Sequence, residues 1–149
     1  MNFKTYPGDL AQCFSVIHRA FLRDTKSKYN TINLNATSAY IILLLDEIGE
    51  SSQNKLAKTL LINKGQITKE INRLLKLKFI TKEKLATKRT TNVIKITIKG
   101  RKIIPKIISI RNDWWNQRIS NNEIKNKSSF APTLIKITEE LIKRGVTKN

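Results

Sequence analysis

Cysteine is almost absent: Cys13 stands alone in 149 residues, so an internal disulfide and a cysteine-built metal cluster are both excluded. Histidine is equally scarce, and His18 has no carboxylate or thiol at ligand spacing, which argues against a metal site. No apolar run approaches the ~20 residues needed to cross a bilayer. The stretch YIILLL, Tyr40 to Leu45, falls far short. The opening MNFKTYPGDLAQC holds no signal-peptide core, so the cytoplasm is the expected compartment. Acids are few, 11 against 29 Lys and Arg. They are scattered, whereas a metal-dependent nuclease wants its carboxylates clustered. No phosphate loop and no Ser/His/Asp or Cys/His arrangement stands in recognisable context. We expect no enzyme, no metal and no cofactor.

What is present is positive charge. The net charge is +18. Between Lys55 and Arg111, 17 basic residues face only Glu70 and Glu83, an excess of 15. Such a field attracts polyanions and does not itself specify a fold. Nucleic acid is the leading partner. An anionic membrane surface is the weaker alternative, because that usually takes a basic amphipathic segment with exposed aromatics, and both Trp lie elsewhere. Apolar and charged fractions of 40% and 27% fit one soluble globular domain over 1–149.

Hydrophobic spacing then divides the chain. Leu10, Phe14, Ile17 and Phe21 predict a helix from Asp9 to about Tyr29. After the turn-rich NTINLNAT, Ile41, Ile42, Leu45 and Ile48 predict a second helix stopped by Gly49. Ser51 or Ser52 caps a short third helix holding Leu56, Ala57 and Leu60. A fourth runs from Lys64 to Leu77, with Asn63 as N-cap and Gln66 three residues on to close a capping box. At about 100° per residue, Ile67, Ile71, Leu74 and Leu75 form its apolar stripe. Gly65, Gln66, Lys69, Asn72, Arg73 and Lys76 gather on the opposite side, and only Glu70 on the flank is acidic. An ordinary solvated face would usually mix in acids. This one is nearly all basic or amide, the types that grip phosphates and base edges. FITKEK and VIKITI, rich in β-branched residues, read as a hairpin with LATKRTTN as its basic tip. From Gly100 the helical pattern returns, and Pro105 should kink or delay that helix. Ser120 to Ser129 reads as a loop. A last helix follows, with Pro132 in its first turn and Gly145 as its stop.

Helix, short helix, tight turn, basic helix and basic-tipped hairpin is the winged helix-turn-helix order. The expected class is therefore mostly α with a small β-hairpin wing, the DNA-binding module spanning 34–100. At the spacing of SSQNKLAKTLLINKGQITKEINRLLKLKFITKEK and IKITIKG, the chain resembles the MarR family of bacterial transcription regulators. The resemblance implies a homodimer whose flanking helices, 9–30 and 101–145, form the dimer interface. It also implies two modules on a palindromic operator, and repression relieved by small aromatic anions or thiol oxidation. It places Asn63, Lys64, Gly65, Gln66, Thr68, Lys69 and Arg73 of the recognition helix on DNA. Lys84, Lys88, Arg89 and Thr90 of the wing join them, with Ser38, Ser52 and Lys55 near the starts of the preceding helices. Double-stranded DNA and a second copy of the chain are the expected partners, and no membrane is.

Two departures stand out. The family's wing carries Asp-x-Arg, but Thr87-Lys88-Arg89-Thr90 has no acid and Arg89 falls one position early. The glycine common before the wing's first strand is Phe79. Gly65 should weaken its helix by ~1 kcal/mol relative to Ala, a cost that close approach to DNA would explain. Leu10, Phe14 and Ile17 near one end, Leu134, Ile137 and Leu141 near the other, and Trp114 are the candidate dimer residues. Cys13 is the candidate redox residue, since peroxide-sensing relatives keep a reactive cysteine on this helix. They surround it with tyrosines, however, and here Tyr29 is offset and Ala36 takes the other place, so an inert small hydrophobe is the favoured reading. Phe21, His18 and Tyr40 are candidates to line an effector pocket. The rival function is a basic winged-helix protein that binds RNA or the ribosome. It would want exposed aromatics for base stacking, and 63–98 offers only Phe79.

Overall fold

The computed structural model describes residues 8–85, 91–122 and 127–147. Among them the order is α1 (Asp9–Asn30), α2 (Ala36–Ile48), β1 (Glu50–Ser51), α3 (Gln53–Thr59), α4 (Lys64–Lys76), β2 (Ile80–Leu85), β3 (Thr91–Ile96), α5 (Ile98–Asn121) and α6 (Lys127–Thr147). The three strands form one antiparallel sheet in the order β1-β3-β2, with Ile80 opposite Ile96 and Leu85 opposite Thr91. No helix among the described residues is long and apolar enough to cross a membrane.

The core gathers around α2. Ile41, Ile42 and Leu45 meet Leu34, Leu56, Ile67, Ile71, Leu74, Ile94 and Ile107, all fully buried. Each such side chain contributes roughly 1.5–3 kcal/mol relative to leaving it in water. A second joint ties α1 to α5. Trp114 meets the ring of Phe21 edge-on at 5.3 Å. Its indole N–H donates to Asp24 Oδ2 at 3.1 Å, and Arg118 donates to the same oxygen at 3.0 Å while lying over the indole. Hydrogen bonds from Arg23 and Trp114 hold the Asp24 carboxyl below its ordinary pKa. Trp114 is therefore core of the protomer, spent on its own α1.

Three helix ends share one device that composition concealed. Leu34 N donates to Tyr29 O and Asn33 N to Asn30 O; Ile62 to Ala57 and Leu61 to Lys58; Phe79 to Leu74 and Lys78 to Leu75. Each pair closes a Schellman motif, and the residue at the turning point has positive φ: Asn33 at 57°, Leu61 at 53°, Lys78 at 60°. None is glycine. The left-handed position ahead of the wing is thus Lys78, one residue before the Phe79 where the sequence comparison sought a glycine. Gly49, the expected stop of α2, does hold φ 81°.

Other boundaries moved. Thr97 follows the strand and caps α5, accepting from Gly100 N while its hydroxyl donates to Lys78 O at 2.8 Å. The helix therefore starts at Ile98, before Gly100. Pro105 sits inside α5 without delaying or ending it. α6 begins at Lys127, inside the expected loop, so Pro132 lies beyond its first turn. It also runs on through Gly145, which does not stop it. The two-residue strand β1 has no β-branched residue to announce it and is held by pairing with Lys95 and Ile94.

Gly100 is required by packing. A Cβ there would strike the carbonyl oxygen of Phe79 and come within 2.8 Å of the Ile96 side chain. Gly100→Ala should cost about 1–3 kcal/mol by overpacking. Leu61→Gly should do the reverse. Its side chain is 65% exposed, so relief of the left-handed backbone should outweigh the entropy of glycine by about 0.5–1 kcal/mol. Urea unfolding of both variants checks the pair, and the opposite sign for either would show that its turn has been misread.

Candidate nucleic-acid interface

The α4 helix starts where expected. Asn63 accepts the Gln66 N–H at 2.8 Å. The Gln66 side chain does not close the box, however; its Nε2 donates to Thr37 Oγ1 on α2 at 3.3 Å. Ile67, Ile71 and Leu74 are buried, while Lys64, Gly65, Gln66, Lys69, Asn72 and Lys76 are exposed. A Cβ at Gly65 would meet only Asn63 Oδ1 at an ordinary 3.5 Å. Nothing within the protein demands that glycine, which leaves the first turn open to whatever lies outside.

The two flanks of this face are fixed differently. On one, Thr68 Oγ1 donates to Lys64 O and accepts from Gln53 Nε2 at 2.7 Å, and Gln53 Oε1 accepts from Lys82 of β2 at 3.5 Å. That chain ties the recognition helix through α3 to the wing. On the other, Glu70 lies under the helix at 4% exposure rather than on an exposed flank. Its Oε1 accepts from Asn35 Nδ2 at 2.9 Å, and its Oε2 lies 3.8 Å from Arg73 Nε. Asn35 Oδ1 in turn caps α2 by accepting from Ser38 N at 2.8 Å, and the Ser38 hydroxyl accepts from Asn35 N. Arg73 is consequently a held side chain, half-buried at the edge of the face.

Ser38 is fully buried and committed to this cap, so its placement among the DNA contacts is corrected. Ser52 is the N-cap of α3, accepting from Lys55 N, and the Lys55 side chain is exposed. Lys84 is exposed on β2. Lys88, Arg89 and Thr90 lie outside the described residues. At the root of the wing, Lys95 bridges Glu50 at 3.3 Å and Glu83 at 3.4 Å, and its pKa is raised, chiefly by the hydrogen bond to Glu50. The sequence reading missed Gln53, Lys82, Thr37 and Asn35. The one signal present was the local NATS stretch, whose Asn and Ser stand at cap spacing.

Away from this face, Leu10, Phe14, Ile137 and Leu141 are exposed, Ile17 and Leu134 half-buried, and Cys13 half-buried on α1. A cavity of about 250 Å³ opens among Phe14, Ile17, His18, Phe21, Tyr40, Arg111, Trp115 and Leu134, bringing together the three residues suggested for an effector. Arg111 lies 5.4 Å over the Tyr40 ring. Burial pushes the Tyr40 hydroxyl up in pKa, and Arg111 works against that shift. Among the described residues, no three His, Cys, Asp or Glu are grouped as a metal site would need.

Asn35→Ala removes the α2 cap and strips Glu70 Oε1 of its donor. Together these should lower stability by roughly 2–3 kcal/mol, read as an earlier urea midpoint. A change below ~0.5 kcal/mol would mean that water replaces the amide.

No protein-family model matches the sequence, and no curated protein does. Solved structures do match. A MarR crystal structure is 22% identical, with 93% of this chain and 99% of that one covered at a TM-score of 0.81. NadR in complex with 4-hydroxyphenylacetate is 20% identical, covering 96% and 99% at 0.74. A mutant MarR from E. coli complexed with operator DNA is 14% identical, covering 89% and 92% at 0.68. Among the described residues, six helices and a small antiparallel sheet in this order, matched over nearly the whole length of each chain, give the fold of the MarR-family regulators.

Proposed function

We propose that the chain is a MarR-type transcription regulator that binds double-stranded DNA as a homodimer and represses from a palindromic operator. The observation that carries the reading is the exposed Gln66/Lys69/Lys76 face of α4, with half-buried Arg73 at its edge. It stands opposite a buried stripe, carries no exposed acid among its described residues and is braced on both flanks. A helix so presented fits the major groove, where Gln and Lys read base edges and the remaining cations meet phosphates. The module is 34–100, with Asn63, Lys64, Gly65, Thr68, Lys55, Ser52 and Lys84 around the central readers. Lys88, Arg89 and Thr90, outside the described residues, are further phosphate contacts in this reading. A fold shared with a protein solved on operator DNA supports the assignment.

The flanking helices 9–30 and 101–145 provide the dimer contacts. Leu10, Phe14, Ile137 and Leu141 are exposed apolar residues that a second copy would cover, and operator palindromy would mirror that two-fold. The cavity at Tyr40 and Arg111 is the effector pocket in this reading. An aromatic body would lie among Phe14, Phe21 and Trp115, and its anionic group would face Arg111 or His18. NadR, of the same fold, holds 4-hydroxyphenylacetate. RNA binding is disfavoured by Phe79, the aromatic of 63–98, which is buried.

Genome-wide mapping of bound sites supplies the operator, and titration on operator and scrambled duplexes supplies the test. Gln66→Ala and Lys69→Ala should each weaken operator binding by about 1–3 kcal/mol with the urea midpoint unchanged. Two chains should bind each palindrome. Unaltered operator affinity in both variants would remove α4 as the reading element.

A further inference from the structure

On the flank of α4 away from the wing lies a concave surface with no role so far. One hollow of about 730 Å³ is bordered by Asn30, Asn33, Lys69, Asn72, Arg73 and Lys76. A second, of about 320 Å³, lies among Lys26, Asn30, Asn35 and Arg73. They share Asn30 and Arg73 and so adjoin as one trough, running from the C-terminal half of the recognition helix to the end of α1. Its polar lining is four cations, four amides and Tyr29, with no carboxylate among the residues that border it. The nearby acid, Glu70, is buried beneath Arg73 and held by Asn35, which fixes the guanidinium in the middle of the trough. Asn33 sits at positive φ in the turn that closes α1, so that wall is set by backbone hydrogen bonds.

Cations and amides on a concave, open surface suit phosphodiester oxygens, which accept from both. Position decides which phosphate. Thr68 faces the wing through Gln53, whereas Gln66 and Glu70 face α2 and its N-cap. The wing and the α1 corner therefore stand on opposite sides of the same exposed face. Lys69, Arg73 and Lys76 belong to both that face and the trough. A duplex laid on α4 would meet this wall as its backbone leaves the groove.

We propose that the trough takes the sugar–phosphate backbone of the duplex whose major groove receives α4, so that Lys26, Asn30 and Asn33 grip the flank opposite the wing. The proposal rests on the DNA-binding reading. It adds residues that lie outside the helix-turn-helix and the hairpin.

The test uses the full chain and a fluorescein-labelled mixed-sequence duplex, titrated by anisotropy across salt. Lys26→Gln should flatten the slope of log K against log salt by about one unit for each copy that meets the duplex. Asn30→Ala should weaken binding about three- to tenfold with the slope unchanged, because an amide releases no counterion. Lys69→Gln serves as the control on the recognition helix. Wild-type affinity and slope in both trough variants, with Lys69→Gln still weakened, would overturn the trough while leaving DNA binding intact. The same unchanged duplex binding combined with calorimetric uptake of inorganic phosphate would reassign it to a small anion. Salt-insensitive binding by the wild type would overturn the trough together with the reading beneath it.

Discussion

The arrangement of the basic face depends on one amide. Asn35 spends its side-chain oxygen on the first turn of α2 and its side-chain nitrogen on Glu70 beneath α4. α2 is the centre of the core, so this residue fixes the recognition helix to the element least able to move. The carboxylate it holds would otherwise be a buried charge facing only Arg73 at 3.8 Å. An ion pair under a surface is weak support for stability, because desolvation offsets much of the attraction. Its value here is geometric: it sets the rotation of α4 and the direction of Arg73. The Lys82–Gln53–Thr68 chain does the same for the other edge with one cation and no carboxylate.

Much of this was readable without coordinates, for a physical reason. The 3.6-residue stripe of Ile67, Ile71 and Leu74 and the cap at Asn63 are local signals, and local signals survive into the fold. So did the Gly49 stop and the antiparallel strand pair of Ile80–Leu85 and Thr91–Ile96. What stayed hidden was set by contacts distant in sequence. Ser38 looked like a surface hydroxyl, but its cap with Asn35 leaves it fully buried. Trp114 looked like spare apolar surface until Asp24 and Phe21, some ninety residues earlier, enclosed it. Glu70 read as a flank residue because periodicity cannot tell a helix edge in water from one pressed on a neighbour. The three left-handed turns were invisible because the usual marker, glycine, is missing from all of them. β1 exists only as a pairing with β3.

The scarce acids are placed economically. Asp24 clasps α5 to α1, Asp46 meets Arg101, and Glu50 and Glu83 neutralise Lys95 at the wing root. Each serves a joint between elements, and the α4 face receives none. The cost is self-repulsion across a chain of net charge +18, which a polyanion or added salt relieves. Folding and the binding of any polyanion are thus linked through the same charges, even where no contact is shared.

The last helix carries a different consequence. Along α6, Leu134 borders the cavity, but Ile135, Ile137 and Leu141 are about half exposed. A helix of this length with little covering it is marginal in water. If a second copy supplies the cover, the amount of chain present sets how much of it stays folded, since association and folding then draw on one equilibrium. A cell holding few copies would lose them faster to proteolysis than in proportion to their number. Abundance and lifetime would rise and fall together, giving the protein a threshold level below which it does not persist.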